Sequence, residues 1–302
     1  FSYSQWYQQI SNTPKTLKSI FFINKTTGWT CGFETVLKTT DCGNTWTASF
    51  LEGYHRSVFF INENTGWICG ESGRLYKTIN GGSDWYPVNS NVVTILNHIV
   101  FIDQNTGIIT GNNKTILKTT DSGISWFNVN NNNASLDFHS AKILDKDNYI
   151  VTGTESSIYT SSNAGAKWDT MSLGMPNPLL TVEFINHNTG WVSGCCGMFM
   201  KTINGGLNWG PEIYLTPGFS VYSMKFIDDQ TGWVAGDAGY ILRTTTGGLK
   251  WDSLNSLTHT GLYSIFFLNK DTGFVAGYNG LILKTTNGGG EGYPLNVVQL
   301  SN

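Results

Sequence analysis

Seven glycines recur along this chain at nearly constant intervals. Gly32, Gly70, Gly111, Gly153, Gly194, Gly236 and Gly277 are separated by 38, 41, 42, 41, 42 and 41 residues. Each closes a short strand-like stretch, such as GWTCG at 28–32 or GWVAG at 232–236. Each is followed by a turn of nearly the same wording: KTTDCGNTW at 38–46, KTINGGSDW at 77–85, KTTDSGISW at 118–126 and KTINGGLNW at 201–209. Looser copies are TSSNAGAKW at 160–168 and RTTTGGLKW at 243–251, and the last copy, KTTNGGGEG at 284–292, has no tryptophan. A period near 40 residues that holds four strand-sized segments is the mark of a propeller blade. The sequence therefore predicts an all-β fold: a single seven-bladed β-propeller over residues 1–290, with four antiparallel strands per blade and a tail at 291–302.

Within a repeat the first strand is apolar (SIFFI at 19–23, SVFFI at 57–61, SIFFL at 264–268). A Thr-Gly turn leads to the second strand, a minimal hairpin loop to a third strand ending in Lys-Thr, and the repeated turn to a fourth strand that starts at Trp. Asp41, Asn80, Asp121, Asn163, Asn204 and Asn287 occupy the acceptor position of the turn, where a side-chain oxygen receives backbone amides, while Thr246 departs from the pattern. Because four of the seven positions are Asn, the column reads as turn chemistry rather than as metal or acid–base sites. Lys38, Lys77, Lys118, Lys201, Arg243 and Lys284 form a second column, with Thr160 in its gap, and their stems are expected to lie against neighbouring tryptophans.

The missing tryptophan has a counterpart at the other end of the chain. QWYQQISNTPKTLKSIFFINKTTGW at 5–29 aligns with KWDSLNSLTHTGLYSIFFLNKDTGF at 250–274, so Trp6 matches Trp251. Residues 5–11 are then a fourth strand without its first three, and the C-terminal repeat has three strands without its fourth. The N-terminal strand is predicted to complete the last blade and to close the ring, which removes exposed sheet edges.

Composition narrows the function classes. Charged residues make up 13%, about half the share usual in globular chains, and the formal net charge is −3, which argues against a basic nucleic-acid binder. No apolar run approaches the ~18 residues of a membrane span, so no membrane insertion is expected. The five cysteines form no C-x-x-C pair, and neither a zinc site nor a disulfide framework is indicated. Cys31 and Cys69 share a repeat position taken elsewhere by Thr, Ser or Ala, and read as small buried residues. Phe1 rather than Met opens the sequence, as expected of a processed N-terminus of an exported protein.

Thr-x-Asp-x-Gly-x-x-Trp, as in Thr39 to Trp46, resembles the Asp-box or bacterial neuraminidase repeat. The longer unit, T-G-W-x-x-G-x-x-G-x-h-h-K-T-x-[DN]-x-G-x-x-W with h apolar, resembles the repeat of the photosystem II assembly and stability factor family of plants and cyanobacteria. Thr231 to Trp251 fits it apart from Arg243 and Thr246, and the fourth repeat departs, with Tyr149-Ile150 in place of Gly-Trp. The resemblance implies a lumenal helper whose arginine-rich surface engages a photosystem subunit. This chain has only Arg56, Arg74 and Arg243. Similar repeats are common in secreted proteins of Bacteroidetes-like bacteria, and the tail EGYPLNVVQLSN resembles the lead-in to a type IX secretion sorting domain. A secreted or cell-surface location follows as an expectation.

In Asp-box propellers the repeated turns lie opposite the ligand face, so a site is expected among the inter-blade connections and the hairpin loops ESG (71–73), NNK (112–114), CCG (195–197) and DAG (237–239). These loops are short and uniform, which counts against a deep catalytic cleft. The three arginines match no sialidase cluster. Glu71 and Asp237 are the available carboxylates for a glycosidase, but nothing marks them as a pair. One column varies: Lys18, Arg56, Asn97, His139, Leu180, Tyr222 and Tyr263 precede the inner strands and should ring the mouth of the central channel. The candidate ligand-binding residues are Tyr54, His55, Arg56, Arg74, His139, Phe219, Tyr222, Tyr263 and Tyr278, with no catalytic residue, metal or cofactor. The expected activity is non-catalytic binding of a protein partner or an extracellular polysaccharide. The alternatives are an assembly factor for a membrane complex and, third, a glycoside hydrolase.

Overall fold

The computed structural model describes residues 5–130, 136–215, 218–295 and the backbone of 298–299. Strands, tight turns and four single 3-10 turns make up the regular structure. Successive inner strands (Leu17–Phe22, the second half of Thr47–Phe60, Leu96–Phe101, Phe138–Ile143, Leu179–Phe184, Val221–Phe226 and Leu262–Phe267) line one central channel, and the sheets radiate from it.

The expected count of seven separate four-stranded blades is corrected by the hydrogen bonding. Among the described residues the strands form six sheets: three of four strands, two of five and one of six. The six-stranded sheet arises because Thr47–Phe60 runs unbroken for 14 residues, pairing first with Gly28–Thr39 and then with Gly66–Gly70. This junction, TASFLEGYHRSVFF, has neither Asn nor Pro, whereas every other junction between repeats has at least one of them. It is also the shortest, with 11 residues from Trp46 to Ser57 against 13 or 14 elsewhere. With no breaker and no slack, the outer strand of one repeat continues directly into the inner strand of the next. The five-stranded sheets arise at the C-terminus, where Tyr293–Pro294 pairs with Asp252–Ser253 and Val298–Gln299 pairs with Ile213–Tyr214.

The strand Tyr7–Gln9 pairs antiparallel with Ile282–Thr285, with Tyr7 opposite Lys284 and Gln9 opposite Ile282. The N-terminal segment therefore supplies the outer strand of the C-terminal sheet, as its alignment with the Trp251 segment predicts. Aromatic packing repeats the same logic. Phe60 lies flat on Trp29 of the preceding repeat (3.5 Å, 7°) and edge-on to Trp85 of its own (5.9 Å, 82°). Phe101, Phe226 and Phe267 are held the same way, stacked on Trp67, Trp191 and Trp233. Across the closure, Phe22 of the first repeat stacks on Phe274 of the last at 4.1 Å. Such pairs add roughly 0.5–1.5 kcal/mol each beyond the area they bury.

Glycine is required at the two repeat positions that frame the second strand. A Cβ on Gly28 would lie 2.6 Å from the Phe22 ring, and one on Gly70 would overlap the Tyr54 carbonyl oxygen. In the repeated turns Asp41 Oδ1 accepts the Thr45 amide, four residues on, at 2.9 Å, and Gly43 N donates to Thr39 Oγ1 at 2.9 Å. Thr246 keeps the role that its residue type seemed to forgo: its hydroxyl accepts the Lys250 amide at 2.8 Å. Half of the basic column lies on tryptophan as expected, with Lys38, Lys77 and Lys201 5.3–5.5 Å from the ring centroids of Trp29, Trp67 and Trp191, whereas Lys118 and Lys284 lie over Tyr149 and Phe274 at 5.5 and 5.7 Å. Cys31 and Cys69 are buried and free.

Candidate functional site at the channel mouth

Every inner strand carries a register shift at the same place, between Leu17 and Ser19, His55 and Ser57, Leu96 and His98, Phe138 and Ser140, and so around the ring. The extra residue is Lys18, Arg56, Asn97, His139, Leu180, Tyr222 or Tyr263. A bulge of this kind re-aims side chains, and all of these residues line a channel of about 330 Å³. The same shift explains why His55 is not part of the mouth. It occupies the column of Leu17, Leu96 and Phe138, is fully buried, and hydrogen-bonds the Leu51 carbonyl oxygen through Nε2 at 3.0 Å. Burial holds its pKa below the usual histidine value.

Beneath the mouth a belt of hydrogen bonds links neighbouring inner strands. Ser19 Oγ accepts the Val58 amide, Ser57 the Ile99 amide, Ser140 the Val182 amide, Ser223 the Ile265 amide and Ser264 the Ile20 amide. At one position histidine replaces serine, and His98 Nδ1 accepts the Ala141 amide at 3.3 Å. The bond from Ser264 to Ile20 joins the two ends of the chain.

The mouth itself is organised by charge and aromatic faces. Lys18 Nζ sits 3.2 Å above the Tyr263 ring centroid and 5.9 Å from that of Tyr54. Burial first, and then the Arg56 charge, push the Lys18 pKa down to about 8 against the pull of Glu71. Arg56 pairs with Glu71 at 3.0 Å, and its guanidinium is 5.8 Å from the Tyr54 centroid. Tyr222 donates to Asp237 Oδ1 at 2.6 Å and leans on Tyr263 at 5.3 Å. His139 is half-buried, and its pKa is lowered chiefly by burial. Tyr278, 47% exposed, stands near Tyr54 and Tyr263.

The structure thus brings together Tyr54, Arg56, His139, Tyr222, Tyr263 and Tyr278 with Lys18. It does not bring in the remaining three. His55 faces the sheet interior, Arg74 pairs with Glu52 at 3.2 Å away from the channel lining, and Phe219 packs on Tyr240 at 4.9 Å. Besides Lys18, two further residues outside the candidate ligand-binding set belong in the site. Glu71 and Asp237 each open a hairpin loop and reach back to a mouth residue 15 positions earlier, as Asn112 does to Asn97 at 2.8 Å. That recurring offset of 15, with complementary partners at Arg56/Glu71 and Tyr222/Asp237, is a signal present in the sequence. Among the described residues no group of three or more His, Cys, Asp or Glu side chains is placed to hold a metal ion.

Comparison with known proteins adds the following. The family model described as photosynthesis system II assembly factor YCF48 matches residues 1–92, 83–178, 160–258 and 212–286. No curated protein sequence matches the chain. Among solved structures, it is similar to YCF48 bound to D1 peptide, with 22% identity, a TM-score of 0.78, and coverage of 95% of this chain and 98% of that one. It is also similar to YCF48 from Cyanidioschyzon merolae, with 21% identity, a TM-score of 0.77, and coverage of 93% and 98%. The GH74 xyloglucanase from Xanthomonas campestris shares the fold at 13% identity and a TM-score of 0.77, over 94% of this chain and 54% of that one.

Proposed function

The chain belongs to the photosynthesis system II assembly factor YCF48 family, and from that premise we propose that it is a non-catalytic propeller that holds a segment of a partner protein at its channel mouth. The observation that carries this reading is the mouth ring: the bulges present Lys18, Arg56, Tyr222 and Tyr263 on one rigid rim, with the Lys18 ammonium already seated on the Tyr263 face. A preorganised ring of aromatic faces and cations suits a peptide, because it meets both side-chain and main-chain groups at low ordering cost. The solved family structure with a bound D1 peptide supports a protein ligand. None of the comparisons supports a polysaccharide.

A hydrolase finds no support in the site chemistry. Glu71 is held by Arg56, and Asp237 accepts both the Tyr222 hydroxyl and the Ser220 amide, at 2.6 and 2.9 Å. A glycosidase needs one free acid and one free base or nucleophile across the scissile bond. The arginine-rich surface implied by the family resemblance is also lacking. The three arginines pair with Glu71, Glu52 and Asp252, so recognition here rests on Lys18 and tyrosines.

Photo-crosslinking tests the proposal. Leu180→p-benzoylphenylalanine places the probe on the mouth rim, and Ile203→p-benzoylphenylalanine places it on an exposed turn at 75% exposure. In extracts of the source cells the mouth probe should yield a discrete protein adduct that the turn probe does not, and Lys18→Glu combined with the mouth probe should abolish it. Adducts that are saccharide, or identical from both probes, would refute the mouth as a protein site.

A further inference from the structure

The channel below the mouth has two unlike halves. Three residues along each inner strand from the mouth ring, the lumen is lined by Phe21, Phe59 and Phe266 on one side and by Lys142, Glu183 and Lys225 on the other. The Phe21 centroid lies 5.1 Å from that of Phe59 and 5.6 Å from that of Phe266, so the three rings form one continuous wall. Opposite them, Glu183 Oε2 accepts from Lys142 Nζ at 2.9 Å and Oε1 accepts from Lys225 Nζ at 2.7 Å. The Glu183 side chain is 10% exposed. Burial works against its charge, but the two lysines outweigh burial and hold the carboxyl below the usual range. The halves meet where Lys225 Nζ lies 6.0 Å from the Phe266 centroid.

One carboxylate between two ammonium groups leaves one positive charge unmatched. Around the whole lumen Lys18, Arg56, Lys142 and Lys225 face Glu183 together with Glu71 and Asp237 at the mouth, where Glu71 is held by Arg56, and one positive charge is left in excess. The chain as a whole carries a net charge of −3, so the lumen is opposite in sign to the molecule around it. Narrow, low-dielectric walls concentrate such a field and raise the local concentration of counter-ions. An apolar wall faced by a few placed polar groups is the common form of a small-molecule site.

We propose that the lower half of the channel binds a small organic monoanion: a carboxylate borne on an aromatic or branched apolar body. The carboxylate takes the unmatched charge between Lys142 and Lys225, and the body lies on the Phe21–Phe266 wall. A neutral analogue satisfies the wall but not the charge, and inorganic phosphate satisfies the charge but not the wall. The volume of about 330 Å³ for the entire channel limits the ligand to roughly a single ring. The site uses none of the rim residues, so it stands or falls separately from the partner-protein reading.

The test is an NMR titration of the full chain with phenylacetate, 2-phenylethanol and inorganic phosphate. Phenylacetate should bind at least about tenfold more tightly than either of the others, with intermolecular NOEs from its ring protons to the Phe21 and Phe266 rings. Glu183→Gln, which keeps an acceptor and removes the competing charge, should strengthen binding severalfold, and Lys225→Met should weaken it about tenfold. Loss of folding does not push two variants in opposite directions. If either variant does not fold, probe discrimination and NOEs in the parent decide the matter. Equal affinity for 2-phenylethanol, absence of saturable binding, NOEs confined to Tyr222 and Tyr263, or weaker binding by folded Glu183→Gln would each overturn the proposal.

Discussion

The indole of Trp6 stands edge-on to the ring of Phe267, with centroids 6.0 Å apart and planes at 90°. Trp251 meets Phe226 in the same way, at 6.3 Å and 88°. The first pair is separated by nearly the whole chain and the second by 25 residues within one repeat. Trp6 therefore does for the C-terminal sheet what Trp251 does for the sheet before it, and its side chain is fully buried.

Trp6→Ala should cost about 3–5 kcal/mol, the usual range for removing a buried tryptophan. Trp251→Ala should cost a similar amount, which denaturant titration of both variants checks. Deleting residues 1–11 should be worse than Trp6→Ala, because it also strips the pairing partner from Ile282–Thr285 and leaves that strand as an open edge. Aggregation, seen by light scattering, is the expected outcome. A truncated chain that melts like the parent and stays monomeric would contradict the closure role of the N-terminal strand.

Acid should weaken the ring through His98. Burial, followed by the Lys142 charge, pushes its pKa down to about 4, with Glu183 pulling the other way. In the unfolded chain the value returns to about 6.5. Between these values the unfolded state binds more protons than the folded one, so stability falls as pH drops from about 6.5 to 4. The full shift corresponds to roughly 3 kcal/mol, an upper bound because the imidazole borders the open channel. His98→Ser installs the residue used elsewhere in the belt. Urea midpoints measured at pH 7 and pH 4.5 should differ less for the variant than for the parent, and equal differences would remove His98 as the cause.

Gly70→Ala should be destabilising by roughly 1–3 kcal/mol or more, although its backbone is extended and free of φ strain. The added methyl group overlaps the Tyr54 carbonyl, which cannot move without displacing Arg56 and the rim. Gly174→Ala, where no atom lies within 4 Å, tests the contrast: the cost there reflects only a positive φ of 77°. Thermal unfolding of the two variants separates steric overlap from backbone strain.

Lys18 should be the most reactive lysine near neutral pH. With its pKa lowered to about 8, roughly half of it is unprotonated at pH 8, against well under a hundredth of an ordinary lysine. Mass spectrometry after brief treatment with a limiting acylating reagent at pH 8 should find Lys18 modified ahead of the exposed Lys146, which is held protonated by Asp147. Equal labelling would show that burial and Arg56 do not lower the Lys18 pKa in solution.

Local residue chemistry was enough to determine much of this molecule. The repeated glycines, the Asp/Asn turn and the displaced Trp6 specify strands, turns and ring closure, because each depends on spacing along the chain and on intrinsic backbone preference. The rim column was legible for the same reason, since one bulge recurs in every inner strand. The tertiary structure decided three further matters. It fused two repeats into one six-stranded sheet, because strand continuity at Thr47–Phe60 depends on pairing partners on both sides. It turned His55 inward and Arg56 to the lumen, because the bulge reverses the two-residue alternation at that step. It also brought Lys142, Glu183 and Lys225 within hydrogen-bonding distance although each stands about 40 residues from the next. Separate strands of a ring meet only once the ring has closed, and no local preference encodes the charge that such a meeting leaves unmatched.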